Sequence, residues 1–304
     1  VKVALTGSHG LVARHLMPVL RQRGDVVVPV LRAGADGPGR TESGAITWDP
    51  ASGVVDPSDF EGIDAVIHLA GVGIGDRRWN AAHKQAVLAS RLDGTGLLAR
   101  TLAAMDGGPR TLLSASATGY YGDRDDELLT EASPSGSGFL AEVARKWEEA
   151  ATPAAEAGIR TVTLRTGLVQ ATDGGALKTS LPIFKVGLGA RFGRGRQWWS
   201  WISIDDEVGA IVHALDHDGI SGPVNLVAPV PVTNAEYTTT LGHVLGRPAV
   251  LPAPPFALKV ALGSEMASEL LLSSQRVEPS VLERTGYEWR HRTLESALRA
   301  LLPR

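Results

Sequence analysis

The sequence predicts a doubly wound parallel α/β sheet with a smaller, mostly helical C-terminal lobe. Three observations lead there. Short apolar runs alternate with helix-period segments through the first half of the chain. A glycine-bearing turn, Gly7-Ser8-His9-Gly10, directly follows the first of those runs. The second half changes character: Gly and Pro are frequent between Gly187 and Gly195, and Trp198, Trp199 and Trp201 follow.

The elements follow in order. Val1–Leu5 reads as the first strand. Leu11–Arg23 reads as a helix, with Leu11, Val12, His15, Leu16, Val19 and Leu20 at helical spacing, and Gly24-Asp25 ends it. Val26–Leu31 is a wholly apolar second strand, and Ala65–Leu69 a third. Trp79 to about Met105 reads as one or two helices. Thr111–Ser114 is a fourth strand, Phe139–Ala157 a helix and Thr161–Arg165 a fifth strand. Right-handed crossovers turn this alternation into a sheet covered on both faces. The expected division is a dinucleotide-binding domain over 1–165 and a C-terminal lobe over 166–304, with Val224–Val227 returning to the first sheet. Ala33–Gly44 reads as a Gly-rich loop.

A chain of 304 residues builds its core without staples. Its 43% hydrophobic and 21% charged residues are those of an ordinary globular protein. A net charge of −3 with no basic block argues against nucleic acid or an anionic membrane as the main partner. The absence of cysteine removes disulfides and thiolate chemistry. The eight histidines show no zinc spacing, and the pair His213 and His217 reads as solvated, so no metal is expected. No apolar run has membrane-spanning length and no signal peptide precedes Lys2; the expected location is cytoplasmic.

Thr6-Gly7-Ser8-His9-Gly10-Leu11-Val12 is the candidate phosphate cradle. Gly7 permits a tight turn out of the strand, and Gly10 lets the backbone approach a pyrophosphate. The following helix start then offers free N–H groups to the anion. Ala13 stands where a third glycine usually allows close packing. The second strand ends in Arg32, with no acid before Asp36. An Arg fork suits a ribose 2′-phosphate, so the preferred cofactor is NADP(H) over NAD(H); a solvated strand-end arginine is the plain alternative.

These residues resemble the extended short-chain dehydrogenase/reductase superfamily. So do "HLAG" at 68–71, "SASATGYYG" at 114–122 and "ISIDDEV" at 202–208. "ITWDP" at 46–50, "FLAEVARKWE" at 139–148, "LRTGLV" at 164–169 and "GRQWWSWIS" at 195–203 resemble its nucleoside-diphosphate-sugar epimerase-like branch. That branch carries a short C-terminal domain of unassigned function, matching from about residue 248. The resemblance implies a Rossmann-type NADP-binding fold acting on a small molecule it does not name. It adds Leu69, Ala70, Gly71, Lys84 and Arg165 as cofactor contacts. Lys84 and Arg91 otherwise read as a wet helix face.

Redox members of the superfamily use a Tyr-x-x-x-Lys pair on the helix after the fourth strand, plus a serine at that strand's exit. Here the pair's positions fall on Leu140 and Ala144, or on Phe139 and Val143, and none of these moves a proton. Lys146 reads as a solvated helix lysine. The resemblance leaves Ser116 as the best-placed donor and Tyr121 as the next on the same loop. Asp205 and Asp206 read as caps of a helix start. Strand alternation puts Trp199 and Trp201 on one face and Trp198 on the other, as core or as a pocket wall. Two functions stay open: an NADP(H)-dependent oxidoreductase or epimerase with a non-standard site, and an NADP(H)-binding structural or sensing protein.

Overall fold

The computed structural model describes residues 1–34, 39–41, 43–249 and 251–303. Part of the expected Ala33–Gly44 loop, and Asp36 with it, lies outside the described residues. The chain forms two compact units that interleave in sequence. One comprises residues 1–116, 143–164 and 211–223; the other comprises 117–142, 165–210 and 224–304.

The first unit is built on the predicted sheet. Its strands are β1 (Lys2–Thr6), β2 (Val26–Arg32), β3 (Gly39–Arg40), β4 (Ile46–Trp48), β5 (Ala65–His68) and β6 (Thr111–Ala117), followed by Arg160–Thr166 and Gly222–Leu226. From one edge the order is Gly222–Leu226, Arg160–Thr166, β6, β5, β1, β2, β4, β3. β1 pairs in parallel with both β2 and β5, so the winding reverses at β1, where doubly wound sheets bind their ligands. β2 pairs β4 and β5 pairs β6, both in parallel, while β3 runs antiparallel on β4.

β4 has only three residues and no readable period, so sequence alone does not announce it. Tertiary burial makes it a strand: Ile46 and Trp48 enter the core beside Val28, Val30, Phe60 and Val66. The stretch after Trp79 is one helix, α2 (Ala81–Ala103), capped by the Asn80 side chain on the His83 N–H. The expected helix Phe139–Ala157 is two, α3 (Phe139–Ala150) and α4 (Thr152–Glu156). Pro153 explains the break: it has no N–H to donate and its ring crowds the carbonyl one turn back. The first helix, α1 (Leu11–Gln22), begins where the spacing predicts. Among the described residues no helix is long and apolar enough to cross a membrane.

The second unit mixes helices with two-stranded ladders. Leu168–Gln170 pairs Trp201–Ser203, Trp198–Trp199 pairs Val232–Thr233, and Ala190–Phe192 pairs Leu251–Ala253. Its main core gathers Leu177, Leu181, Phe184, Trp201, Tyr237 and Leu241, with Trp199 packed against them. Trp199 and Trp201 thus share one environment. Trp198 has another: its Nε1 donates to Asp126 Oδ1 at 2.7 Å and the Arg276 guanidinium stacks over its ring.

One hydroxyl ties the centre of the sheet together. Thr6 Oγ1 accepts the backbone N–H groups of Leu69 and Ala70, each at 3.1 Å. Those bonds occupy its lone pairs, so its proton goes to His68 Nδ1 at 2.7 Å. Burial, with the charge of Arg91 adding, pushes the His68 pKa down to about 3 and leaves a neutral acceptor. Thr6→Val removes this clasp with little change of shape and strands three buried polar groups. Urea denaturation should show a loss of about 2–5 kcal/mol, whereas Thr6→Ser should keep most of the stability.

Candidate functional site

The first unit carries the cradle. Gly7 has φ +68°, and a Cβ there would sit 2.8 Å from the carbonyl carbon and oxygen of Leu69 and 2.9 Å from the Ala70 nitrogen. Glycine is required by the backbone conformation and by the space at once. The Gly10 N–H donates to the Gly7 carbonyl at 2.8 Å, closing the turn. Gly10 then stands at the helix N-cap with no side-chain cap, and the first turn of α1 has no acid. The orphan N–H groups at that end are left for an external anion. Ser8 is buried, His9 and Gly10 are exposed, Leu11 and Val12 are half-buried, and Ala13 packs inward. A dinucleotide's diphosphate fits this cradle: open N–H groups, no competing carboxylate, and glycine where the chain comes closest.

Arg91 braces the loop beside the cradle. It is buried, and its Nη1 donates to the Val72 carbonyl at 2.9 Å and the Val87 carbonyl at 3.1 Å. Its guanidinium stacks over the Trp147 ring, and a Cβ on Gly71 would lie 3.4 Å from its Cζ. Burial pulls its pKa down to about 10, still charged at neutral pH. Arg91 is thus a buried strut under Gly71 and Val72. Lys84 is half-buried in the first turn of α2. Arg32 is exposed at the carboxyl end of β2, in register with Trp48. Its charge is the smallest of the influences holding the Asp49 carboxyl below its usual range, the Ser52 hydroxyl being the first.

The expected proton donors are occupied. Ser116 is buried and its hydroxyl donates to Glu148 Oε1 at 2.6 Å. Glu148 lies two turns beyond Leu140 on α3, about 12 Å along the axis. The Ser116 proton is thus engaged by Glu148 in this structure. Both Leu140 and Ala144 are bare of proton-transfer chemistry, and α3 has no tyrosine.

In the second unit, Tyr121 is fully buried. Its hydroxyl donates to Asn225 Oδ1 at 2.7 Å and accepts from Arg165 Nη1 at 3.0 Å. Burial pushes its pKa up to about 12, against the influence of Arg165. The phenol is engaged on both sides, and burial keeps its proton on it at neutral pH. Arg165, expected at the cofactor, is itself buried and stacks 3.5 Å over the Tyr120 ring while donating to the Glu131 carbonyl. These contacts tie it to the loop that carries both tyrosines.

Other acids have structural posts. Asp206 accepts from the backbone N–H groups of Arg290 and His291 at 2.6 and 3.0 Å, and from Ser203 Oγ at 2.7 Å. Its side chain cross-links its own helix to residues 290 and 291, while the cap on that helix start is the Ser203 hydroxyl, which accepts the Asp206 N–H at 3.0 Å. Glu269 accepts the N–H groups of Phe139 and Leu140 at 2.8 and 2.7 Å, capping α3 from 130 residues away. No local pattern announces such a cap. Glu207 is buried with Oε1 on the Thr166 hydroxyl at 2.8 Å, and burial pushes its carboxyl up to about 8.

The model of the NAD-dependent epimerase/dehydratase family matches residues 3–227, and that of a domain of unknown function (DUF1731) matches residues 253–301. An epimerase family protein of Mycobacterium bovis is 44% identical over 296 residues, covering 97% of this chain and 96% of the relative. The human epimerase family protein SDR39U1 is 35% identical, covering 99% of this chain and all of the relative. A crystal structure of human SDR39U1 with NADPH has a TM-score of 0.88 at 34% identity, covering 99% of both chains. Thermus thermophilus UDP-glucose 4-epimerase with NAD, at 18% identity and TM-score 0.71, shares the fold.

Two substitutions probe these assignments. Tyr121→Phe should cost about 1–3 kcal/mol of stability by stranding Asn225 and Arg165, read from a thermal or urea transition. For Glu207, the folded pKa of about 8 lies above the ordinary 4.5. Its contribution is complete below the ordinary value and is lost as pH rises through the folded one. Glu207→Gln should therefore flatten the fall in stability between about pH 4.5 and pH 8, measured as denaturation midpoints across that range.

Proposed function

The chain belongs to the NAD-dependent epimerase/dehydratase family, and on that premise we propose that it binds NADP(H) and does not epimerise nucleotide sugars. The observation that carries the binding is the cradle: Gly7 pressed on Leu69 and Ala70, opening onto an uncapped start of α1. Thr6 to Val12 and Leu69 to Gly71 line the diphosphate, with Lys84 at the start of α2 as a further contact. Arg32 supplies a charged fork for the 2′-phosphate at the end of β2. The NADPH in the human relative's crystal structure supports the same choice.

When bound, the nicotinamide supplies a hydride. The protein's own part is to hold and orient it. Sugar epimerisation also needs reversible proton removal from a secondary alcohol. The residues at the usual positions, Leu140 and Ala144, offer no base, and the Ser116 and Tyr121 hydroxyls are committed to Glu148 and Asn225. This leaves weak reduction of an activated carbonyl, polarised by hydrogen bonding alone. The second reading is binding without turnover, as a structural or sensing ligand; the same engaged hydroxyls favour it. NADPH absorbance followed against a panel of carbonyl compounds separates the two.

A charge-assisted contact to the 2′-phosphate contributes on the order of 1.5–3 kcal/mol, roughly a 10- to 150-fold preference for NADPH over NADH. Calorimetric titration of both cofactors should show that preference, and Arg32→Ala should collapse it while leaving NADH affinity nearly unchanged. Equal affinities in the unaltered protein would refute the assignment.

A further inference from the structure

The net charge of −3 conceals a strongly asymmetric second unit. From Gly174 to Ile204 the sequence has five Lys or Arg and no Asp or Glu. From Tyr237 to Ser264 it has Arg247 and Lys259 and again no acid. The fold brings these two segments together. Ala190–Phe192 pairs with Leu251–Ala253, and a Cβ on Gly187 or Gly193 would meet the rings of Pro248 at 3.5 Å or Pro255 at 3.3 Å.

The same segments expose large apolar side chains. Val186 is 69% exposed, Phe256 71% and Val260 72%; Ile183, Leu188 and Leu251 are each more than half exposed. The helix Pro255–Leu262 buries no residue at all. Phe256 and Val260 are one turn apart on it and share a face, with exposed Lys259 beside them. Lys185 and Arg191 are exposed along the other segment. Soluble surfaces seldom gather this much apolar area without a partner.

We propose that this face docks on an anionic lipid bilayer. Apolar side chains on a short helix that carries Lys259, beside a segment that carries Lys185 and Arg191, match both layers of such a surface; the exposed Glu265 lies just past the helix end. Phe256 and Val260 would enter the acyl boundary, while Lys185, Arg191 and Lys259 meet headgroup phosphates. A second copy of the chain fits less well. Two-fold pairing would set Lys185, Arg191 and Lys259 against their own copies, with like charges opposed across a drying interface. The attachment is peripheral and independent of cofactor binding. It departs from the expectation drawn from net charge, because net charge averages over surfaces.

The test is flotation of the full chain with vesicles of phosphatidylcholine alone or mixed equally with phosphatidylglycerol. Binding should be at least tenfold stronger on the mixed vesicles and should fall sharply at high salt. Each cation removed in Lys185→Ser, Arg191→Ser or Lys259→Ser should weaken it about fivefold. The double variant Phe256→Ser with Val260→Ser should abolish it while keeping the unaltered circular dichroism spectrum. Lipid composition and salt are read on the unaltered chain, so the test stands even if a variant misfolds. Absence of flotation at millimolar anionic lipid overturns the proposal, as does equal binding to both vesicle types. A dimer that the double variant splits, seen by sedimentation equilibrium with no vesicle binding, would make the face a self-interface instead.

Discussion

The first unit depends on one close approach. The turn leaving β1 comes so near the segment leaving β5 that Gly7 leaves no space for a side chain against Leu69 and Ala70. The Thr6 hydroxyl holds the approach by taking both of their N–H groups and giving its proton to His68. Arg91, buried beneath Gly71, holds the far side of the same segment. These contacts place two backbone stretches at the point where the sheet's winding reverses. An open helix start with no carboxylate in its first turn is the consequence. The cradle is a property of packed backbone, and side chains serve it chiefly by staying small or by bonding inward.

The hydroxyls expected to move protons stand differently from the cradle. Those of Ser116 and Tyr121 have been drawn into the framework: Ser116 to Glu148, and Tyr121 between Asn225 and Arg165. A buried hydroxyl with good partners is stable because its proton stays put, and that is the opposite of what proton transfer asks.

Buried titratable groups set opposing pH limits. His68 is held neutral by burial, and its contribution fades as pH falls from the ordinary histidine range toward about 3. Glu207 is held protonated, and its contribution fades as pH rises through about 8. Both are polar groups in the interior, each with one atom bonded and one without a hydrogen-bond partner among the described residues. Uniform apolar packing would avoid that cost; here the hydroxyls of Thr6 and Thr166 limit it.

The sequence by itself determined the alternation of strand and helix and the glycine turn. Each is local: a period of 2 or 3.6, a residue type at a fixed offset. The tertiary structure alone decided the rest. β4 exists because Ile46 and Trp48 find a core, not because three residues prefer to be extended. The α3 cap comes from Glu269, the Tyr121 hydroxyl is consumed by Asn225, and Arg165 is spent on two tyrosines; in each case the partner is distant in sequence. The acid-free stretches are visible in the string, yet only the pairing of Ala190–Phe192 with Leu251–Ala253 makes them one surface. Sequence patterns report what a residue can do nearby. What it does when buried depends on which distant group reaches it first.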